Sequence, residues 1–320
     1  MVFSVGLPVE GLEIRATRFE GNPILSVDVI GDEAYEMGRE VDSGRYLSIA
    51  GPSLIRVPEW VENPLGQYYL YFSHHKGAHI RMAYADELEG PWKVFNPGKG
   101  VFGLDAVKGF AFDHVASPDV HVDHRNRRFA MYYHAPSLDT SLGQRTFVAV
   151  SADSLDFQPY SDEALGHMYM RVFRYRGYYY GVPRRGPMVR SRDGMTNFEP
   201  GPDLFHYEDR HFALKLHNNR LFVFYSHELD RPEYIKVVEM DIGDPDWMNW
   251  RLKPNPTPVL KPERDYERNP QPVLLDPYVY GEGGRHYLFY SVAKEQGIAL
   301  AYLEVPEWEG RENKPRISTD

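Results

Sequence analysis

Five times along this chain a short tyrosine-rich apolar run recurs: YYLYFS at 68–73, FAMYYH at 129–134, YYYGV at 178–182, LFVFYS at 221–226 and HYLFYS at 286–291. Each follows a polar turn that is itself preceded by a β-rich run, so each pair reads as a hairpin. A third β-like run comes next: IRMAYA, TFVAVS, PMVRS, YIKVVEM and IALAYL. Several units add a fourth piece after an Asp or Trp marker, as in ADELEGPW, SADSLDF, SRDGMTNF and DPDWMNW. Three to four strands per unit, repeated five times at roughly 40–60 residues, is the pattern of a β-propeller. No segment carries a long 3.6-residue period, so little helix is expected. A β-sandwich or β-helix is the competing arrangement.

The expected fold is therefore all-β: a single five-bladed propeller over 46–320, with 1–45 as an N-terminal extension packing on it. The clearest unit is HVASPDVHVDHRNRRFAMYYH, 114–134. Its Ser117-Pro118-Asp119 corner suits a strand entry, because proline removes an amide donor and holds its predecessor extended. Aromatics make up 14% of the chain, including 23 Tyr, which fits either a β-rich core or stacking on sugar rings. A net charge of −10 argues against nucleic acid, whose phosphates need a basic surface. There is no cysteine, so disulfides and thiolate metal sites are excluded. No apolar run reaches membrane-spanning length. The first residues lack a basic leader region, so a cytoplasmic setting is expected unless a leader was removed. Neither GxxxxGK[ST] nor a strand–GxGxxG–helix unit occurs, which argues against nucleotide cofactors. The oligomeric state is left open.

Propeller geometry turns the repeats into a site. The start of strand one and the end of strand two of each blade lie on the same face, near the axis. Counting back from Tyr133, Tyr225 and Tyr290 reaches Asp119, His211 and Asp276, and the third unit contributes His167. The strand-two ends add His74, His75, His134, Arg184, Arg185, His227 and Glu228. A large share of the 13 His thus gathers on one expected face.

The repeat grammar, the SPDV corner and the segment PVLKPERDYERNPQPVLLDPYVYGEGGRHYLFYS resemble the five-bladed propeller glycoside hydrolases of family 43 and its relatives. The resemblance covers roughly 46–305, with Tyr266-Glu267 where the family shows Trp-Glu. It implies glycosidase activity on an oligosaccharide or polysaccharide. It also implies acids at the inner ends of the first, third and fourth blades. There this sequence reads Ala50-Gly51-Pro52, His167 and Arg210-His211.

Cleaving a glycoside needs one group to protonate the leaving oxygen and another to activate water or attack carbon. The candidates are Asp119 as base, His211 or Glu267 as acid, and Asp276 as the orienting group. The candidates for contact with the sugar are His74, His75, His134, His167, Arg184, Arg210, His227 and Glu228. Histidine suits acid–base work because it titrates near neutrality. The same His, Arg and Tyr set would serve a lyase on a uronate-containing glycan. A propeller that only binds carbohydrate is the third reading. No cofactor is expected. His74-His75 with His134 or His227 is the one set suited to a divalent ion in the channel. Trp60 is a candidate sugar platform at the mouth.

Overall fold

The computed structural model describes residues 12–29 and 48–308. Five antiparallel sheets form a five-bladed β-propeller. Strands β1 (Arg15–Arg18) and β2 (Leu25–Ser26) come first in the chain but belong to the last blade. Blade one is β3 (Ala50–Arg56), β4 (Tyr68–Ser73), β5 (His79–Ala85) and β6 (Lys93–Phe95), with β7 (Phe102–Gly103) beside β5. Blade two is β8 (Ala116–Asp123), β9 (Arg128–Pro136), β10 (Gln144–Ser151) and β11 (Gln158–Pro159), with β12 (Gly166–His167) beside β10. Blade three is β13 (Arg171–Tyr175), β14 (Tyr178–Val182), β15 (Val189–Ser191) and β16 (Glu199–Pro200). Blade four is β17 (Asp209–His217), β18 (Arg220–His227), β19 (Ile235–Asp241) and β20 (Arg251–Leu252), with β21 (Thr257–Leu260) beside β19. Blade five is β22 (Leu274–Glu282), β23 (Arg285–Val292) and β24 (Gly297–Glu304), completed by β1.

The tyrosine-rich runs are the second strands, and their lack of polar alternation has a packing cause. All six residues of β4 are buried. Tyr69 and Tyr71 join the core shared with blade two, whereas Tyr68, Leu70 and Phe72 join the core shared with blade five. In β23, Tyr287 and Phe289 face blade one, and Leu288, Tyr290 and Val292 enter the core with blade four. A strand covered on both sides is apolar throughout, yet its successive side chains still point to opposite faces. Trp60 packs on Phe129 with ring centroids 5.1 Å apart. It lies in the β3–β4 connection, at the end of the blade opposite the strand-one starts, so it supports blade two rather than the mouth.

The innermost strands share one irregularity. Register shifts interrupt β3 between Ala50 and Ser53, β8 between Ala116 and Asp119, β17 between Arg210 and Ala213, and β22 between Leu275 and Tyr278. In each, the first residue of the bulge has left-handed backbone: Gly51 (φ 66°), Ser117 (51°), His211 (59°) and Asp276 (46°). Tyr169, two residues before β13, does the same at 55°. Bulges of this kind re-aim a side chain, and the left-handed corners at Ser117, Tyr169, His211 and Asp276 turn four side chains at equivalent points of four blades, with Gly51 at the fifth.

Only Gly51 takes this conformation without the left-handed penalty of roughly 1–2 kcal/mol. A Cβ there would also stand 3.2 Å from the Ser117 Cα. Gly51→Ala is therefore expected to destabilise the protein by about 1–2 kcal/mol. Denaturant unfolding checks this, and an unchanged midpoint would refute it.

The described part of the N-terminal extension, 12–29, is built into the ring. Strand β1 pairs antiparallel with β24, Arg15 opposite Glu304 through Arg18 opposite Ala301. Residues 1–11 and 30–45 of the expected extension lie outside the described residues.

Candidate active site

A pocket lies where the strand-one starts and strand-two ends of several blades meet. It is lined by residues that include His74, His75, His114, His134, Tyr169, Asp276 and Glu295, and holds about 430 Å³ counting its open mouth.

Along one wall the rings touch in series. His114 and His134 centroids are 5.5 Å apart, His134 and Tyr169 4.2 Å, and Tyr169 and His211 5.1 Å. The series ends at a carboxyl group: His211 Nδ1 lies 3.5 Å from Asp276 Oδ1. His211 and Asp276 are buried, and neither His211 Nδ1 nor Asp276 Oδ2 has a hydrogen-bond partner among the described residues. His134 Nδ1 is in the same condition. Buried polar atoms are seldom left unpaired, and two of these, His134 Nδ1 and Asp276 Oδ2, belong to residues that line the pocket.

The electrostatics follow from burial. Asp276 is pushed up to about 7, first by desolvation and then by the nearby Glu295, with Arg171, the Ser291 hydroxyl and Arg210 pulling the other way. His211 is pushed well below its ordinary value by burial, reinforced by Arg210, Arg184, Arg171 and His134. His134 is lowered by burial, with His114, Arg184 and His75 adding to the effect. At neutral pH the wall is therefore neutral imidazole and phenol, with a carboxyl group close to its titration midpoint.

The expected site residues fall into three groups. His74, His75, His134 and Asp276 line the pocket, and His211 stands behind Asp276. Arg184, Arg210, His227 and Glu228 form an ion-pair cluster on the same face. Arg184 meets Glu228 at 2.7 Å and lies 5.9 Å from the Tyr169 ring, while Arg210 grips Glu233 through two contacts of 2.8 and 2.5 Å. His227 Nδ1 is 2.8 Å from Asp209.

Asp119, His167 and Glu267 are engaged elsewhere. His167 is on β12, paired with Arg145 of blade two, whose guanidinium lies 3.0 Å from its Nδ1. Tyr169 occupies the ring position in blade three. Asp119 lies two residues past the ring position, which is Ser117, and bonds the Val172 amide at 2.8 Å and His121 at 2.9 Å. Burial alone would raise its pKa, but His121, Arg171 and that amide hold it below the ordinary range. Glu267 is fully buried in the single helical turn Asp265–Arg268, paired with Arg18 and Tyr290. It is not part of the pocket lining.

Sequence reasoning missed His114, Tyr169 and Glu295. Glu295 had a signal: it follows the end of β23, as His74 follows that of β4. Three consecutive left-handed residues, Ala293, Lys294 and Glu295, carry it back over the pocket. Among the described residues no group of three or more His, Asp or Glu is arranged to hold a metal ion.

No family model matches the chain. It is 30% identical to the uncharacterized protein R118 of Acanthamoeba polyphaga mimivirus over 345 aligned positions, covering 94% of each chain. Among solved structures it superposes on a glycosyl hydrolase from Bacteroides ovatus with a TM-score of 0.65 and 12% identity, covering 94% of this chain and 96% of that one. A thermostable family-43 glycoside hydrolase matches with a TM-score of 0.58 and 16% identity, covering 84% and 95%. At these identities the structural likeness establishes the fold.

Proposed function

We propose that this chain, which belongs to one family with the uncharacterized protein R118 of Acanthamoeba polyphaga mimivirus, hydrolyses a glycosidic bond in its axial pocket, with Asp276 protonating the leaving oxygen. The observation that carries this reading is the buried Asp276–His211 pair, with Asp276 itself lining the pocket.

A general acid must hold its proton near working pH and present it to the substrate. Burial and the charge of Glu295 hold the proton on Asp276. His211, neutral at 3.5 Å, orients that carboxyl group and stabilises its charge after transfer. Glu295 is the second carboxylate of the pair that glycoside hydrolysis requires, and it too lines the pocket. The histidine and tyrosine wall supplies hydrogen bonds to hydroxyl groups. In this reading Asp119 and Glu267 hold the frame.

The fold shared with a glycosyl hydrolase and a family-43 glycoside hydrolase supports the reading. The lyase alternative is weakened because Arg184 and Arg210 are already committed to Glu228 and Glu233. Gly51, His167 and His211, where the resemblance implied acids, favour a purely binding propeller as the second reading, and Tyr169, at the blade-three corner, supplies no acid either. A panel of 4-nitrophenyl pentosides and hexosides, with a glycan array beside it, separates the two. Chromophore release that depends on Asp276 supports hydrolysis. Array binding without release on any substrate supports the binder.

A further inference from the structure

Directly after the five left-handed corners comes a second set of equivalent positions, the first paired residue beyond each bulge. They are Ser53, Asp119, Arg171, Ala213 and Tyr278. Arg171 is the only permanent cation of the five, and its guanidinium reaches every other blade. Nη2 bonds the Pro52 carbonyl of blade one at 3.2 Å. Nη1 bonds the Pro118 carbonyl of blade two at 2.5 Å and lies 3.5 Å from Asp119 Oδ1. Nε bonds the Phe212 carbonyl of blade four at 3.0 Å. The Tyr278 ring of blade five is 5.6 Å from its Cζ. The group is buried. Pro52, Pro118 and Phe212 each follow a corner residue, so the guanidinium lies one residue layer beneath the pocket.

We propose that Arg171 is the positioning residue of the Asp276–His211 pair, fixing both the corners that aim the two side chains and the field in which Asp276 exchanges its proton. The catalytic part of this rests on Asp276 being the pocket's acid; the electrostatic part does not. The charged and titratable groups around Asp276 are Glu295 after β23, Arg210 and His211 on β17, Tyr169 before β13, and Arg171 itself. Of these, Arg171 alone is tied to backbone of three other blades, so its charge cannot swing away when a ligand enters. Asp119 sets how much of that charge Asp276 experiences, since its carboxylate lies 3.5 Å from the guanidinium.

The test uses the full chain with aspartate labelled at the side-chain carboxyl carbon, the Asp276 resonance being identified by its loss in Asp276→Asn. Arg171→Met is expected to raise the Asp276 titration midpoint by about one pH unit or more, and Asp119→Asn to lower it, as removal of an attractive or a competing charge requires. The pH–rate profile on an aryl glycoside is expected to move with the midpoint in each variant. A purely architectural role predicts loss of stability in both variants with no opposed shifts. Unmoved midpoints, or shifts in the same direction, overturn the proposal. If Arg171→Met does not fold, Asp119→Asn decides alone: a lowered midpoint supports the proposal, and an unchanged or raised one overturns it. Opposed shifts without turnover of any glycoside would leave the hold of Arg171 on Asp276 standing and remove the hydrolase reading.

Discussion

Asp276→Asn is expected to lower kcat by about 10²–10⁴-fold, the range for loss of a positioned proton donor, while making the protein more heat-stable at pH 8. The two effects share one cause. Asp276 sits at a left-handed corner, a conformation asparagine tolerates well, so the substitution changes proton chemistry with little change in shape. In the wild type the carboxyl pKa rises from 3.8 to about 7 on folding, through burial and the adjacent Glu295. Between those values the unfolded chain releases a proton that the native state keeps, so stability is full below about pH 4 and is lost as pH rises through about 7. Asparagine has no charge to bury, so the gain of the variant grows from acid to alkaline pH and levels off above neutrality. Wild-type activity should fall over the same upper range, as the acid form of Asp276 disappears. Calorimetry at pH 4 and 8, with aryl glycoside kinetics, checks both. A variant that retains wild-type kcat, or that is equally stable relative to wild type at both pH values, would refute this account.

Arg18→Met is expected to cost about 3–5 kcal/mol, the penalty for leaving one partner of a buried ion pair alone. Arg18 reaches from β1 to Glu267 with contacts of 2.7 and 3.1 Å, and also bonds the Lys261 carbonyl at 2.6 Å. Glu267 has no exposed surface, and it further accepts from Tyr290 and from the amides of Glu263 and Arg264. Without Arg18 its charge is held by neutral donors alone. The double variant Arg18→Met/Glu267→Gln should recover much of the loss, because the stranded charge goes with it. Both single variants should keep wild-type kcat in their folded fraction, since the pair lies outside the pocket lining. Urea titrations with activity measured at low denaturant separate these effects. A cost below 1 kcal/mol for Arg18→Met, or a large fall in kcat for Glu267→Gln, would contradict them.

The blades were legible because each second strand is buried on both sides, which leaves a conspicuous apolar run with a polar turn before it. The ring around the axis was legible only where the hairpins have equal length. Counting back from Tyr225 and Tyr290 reached His211 and Asp276 because both hairpins turn in two residues, 218–219 and 283–284. In blade two the turn is four residues, 124–127, between Asp123 and Arg128. The same count therefore stops two short of the corner, on Asp119 instead of Ser117. His167 misled for another reason: it belongs to an added edge strand of blade two, and blade three begins after it. Glu267 looked like a site acid because it lies close in sequence to Asp276. The helical turn that holds it directs its carboxylate toward Arg18. Arg171 gave no local sign at all, since its partners are backbone carbonyls of three other blades.

The pairing of β1 with β24 has a consequence for how the molecule is made. Residues 15–18 leave the ribosome before any of the blades is made and must wait for residues 301–304 before they have a neighbour. Four blades can assemble before then, but the circle stays open until residues 301–304 have been made. Strand β1 spends that whole interval without the partner that fixes its place in the ring.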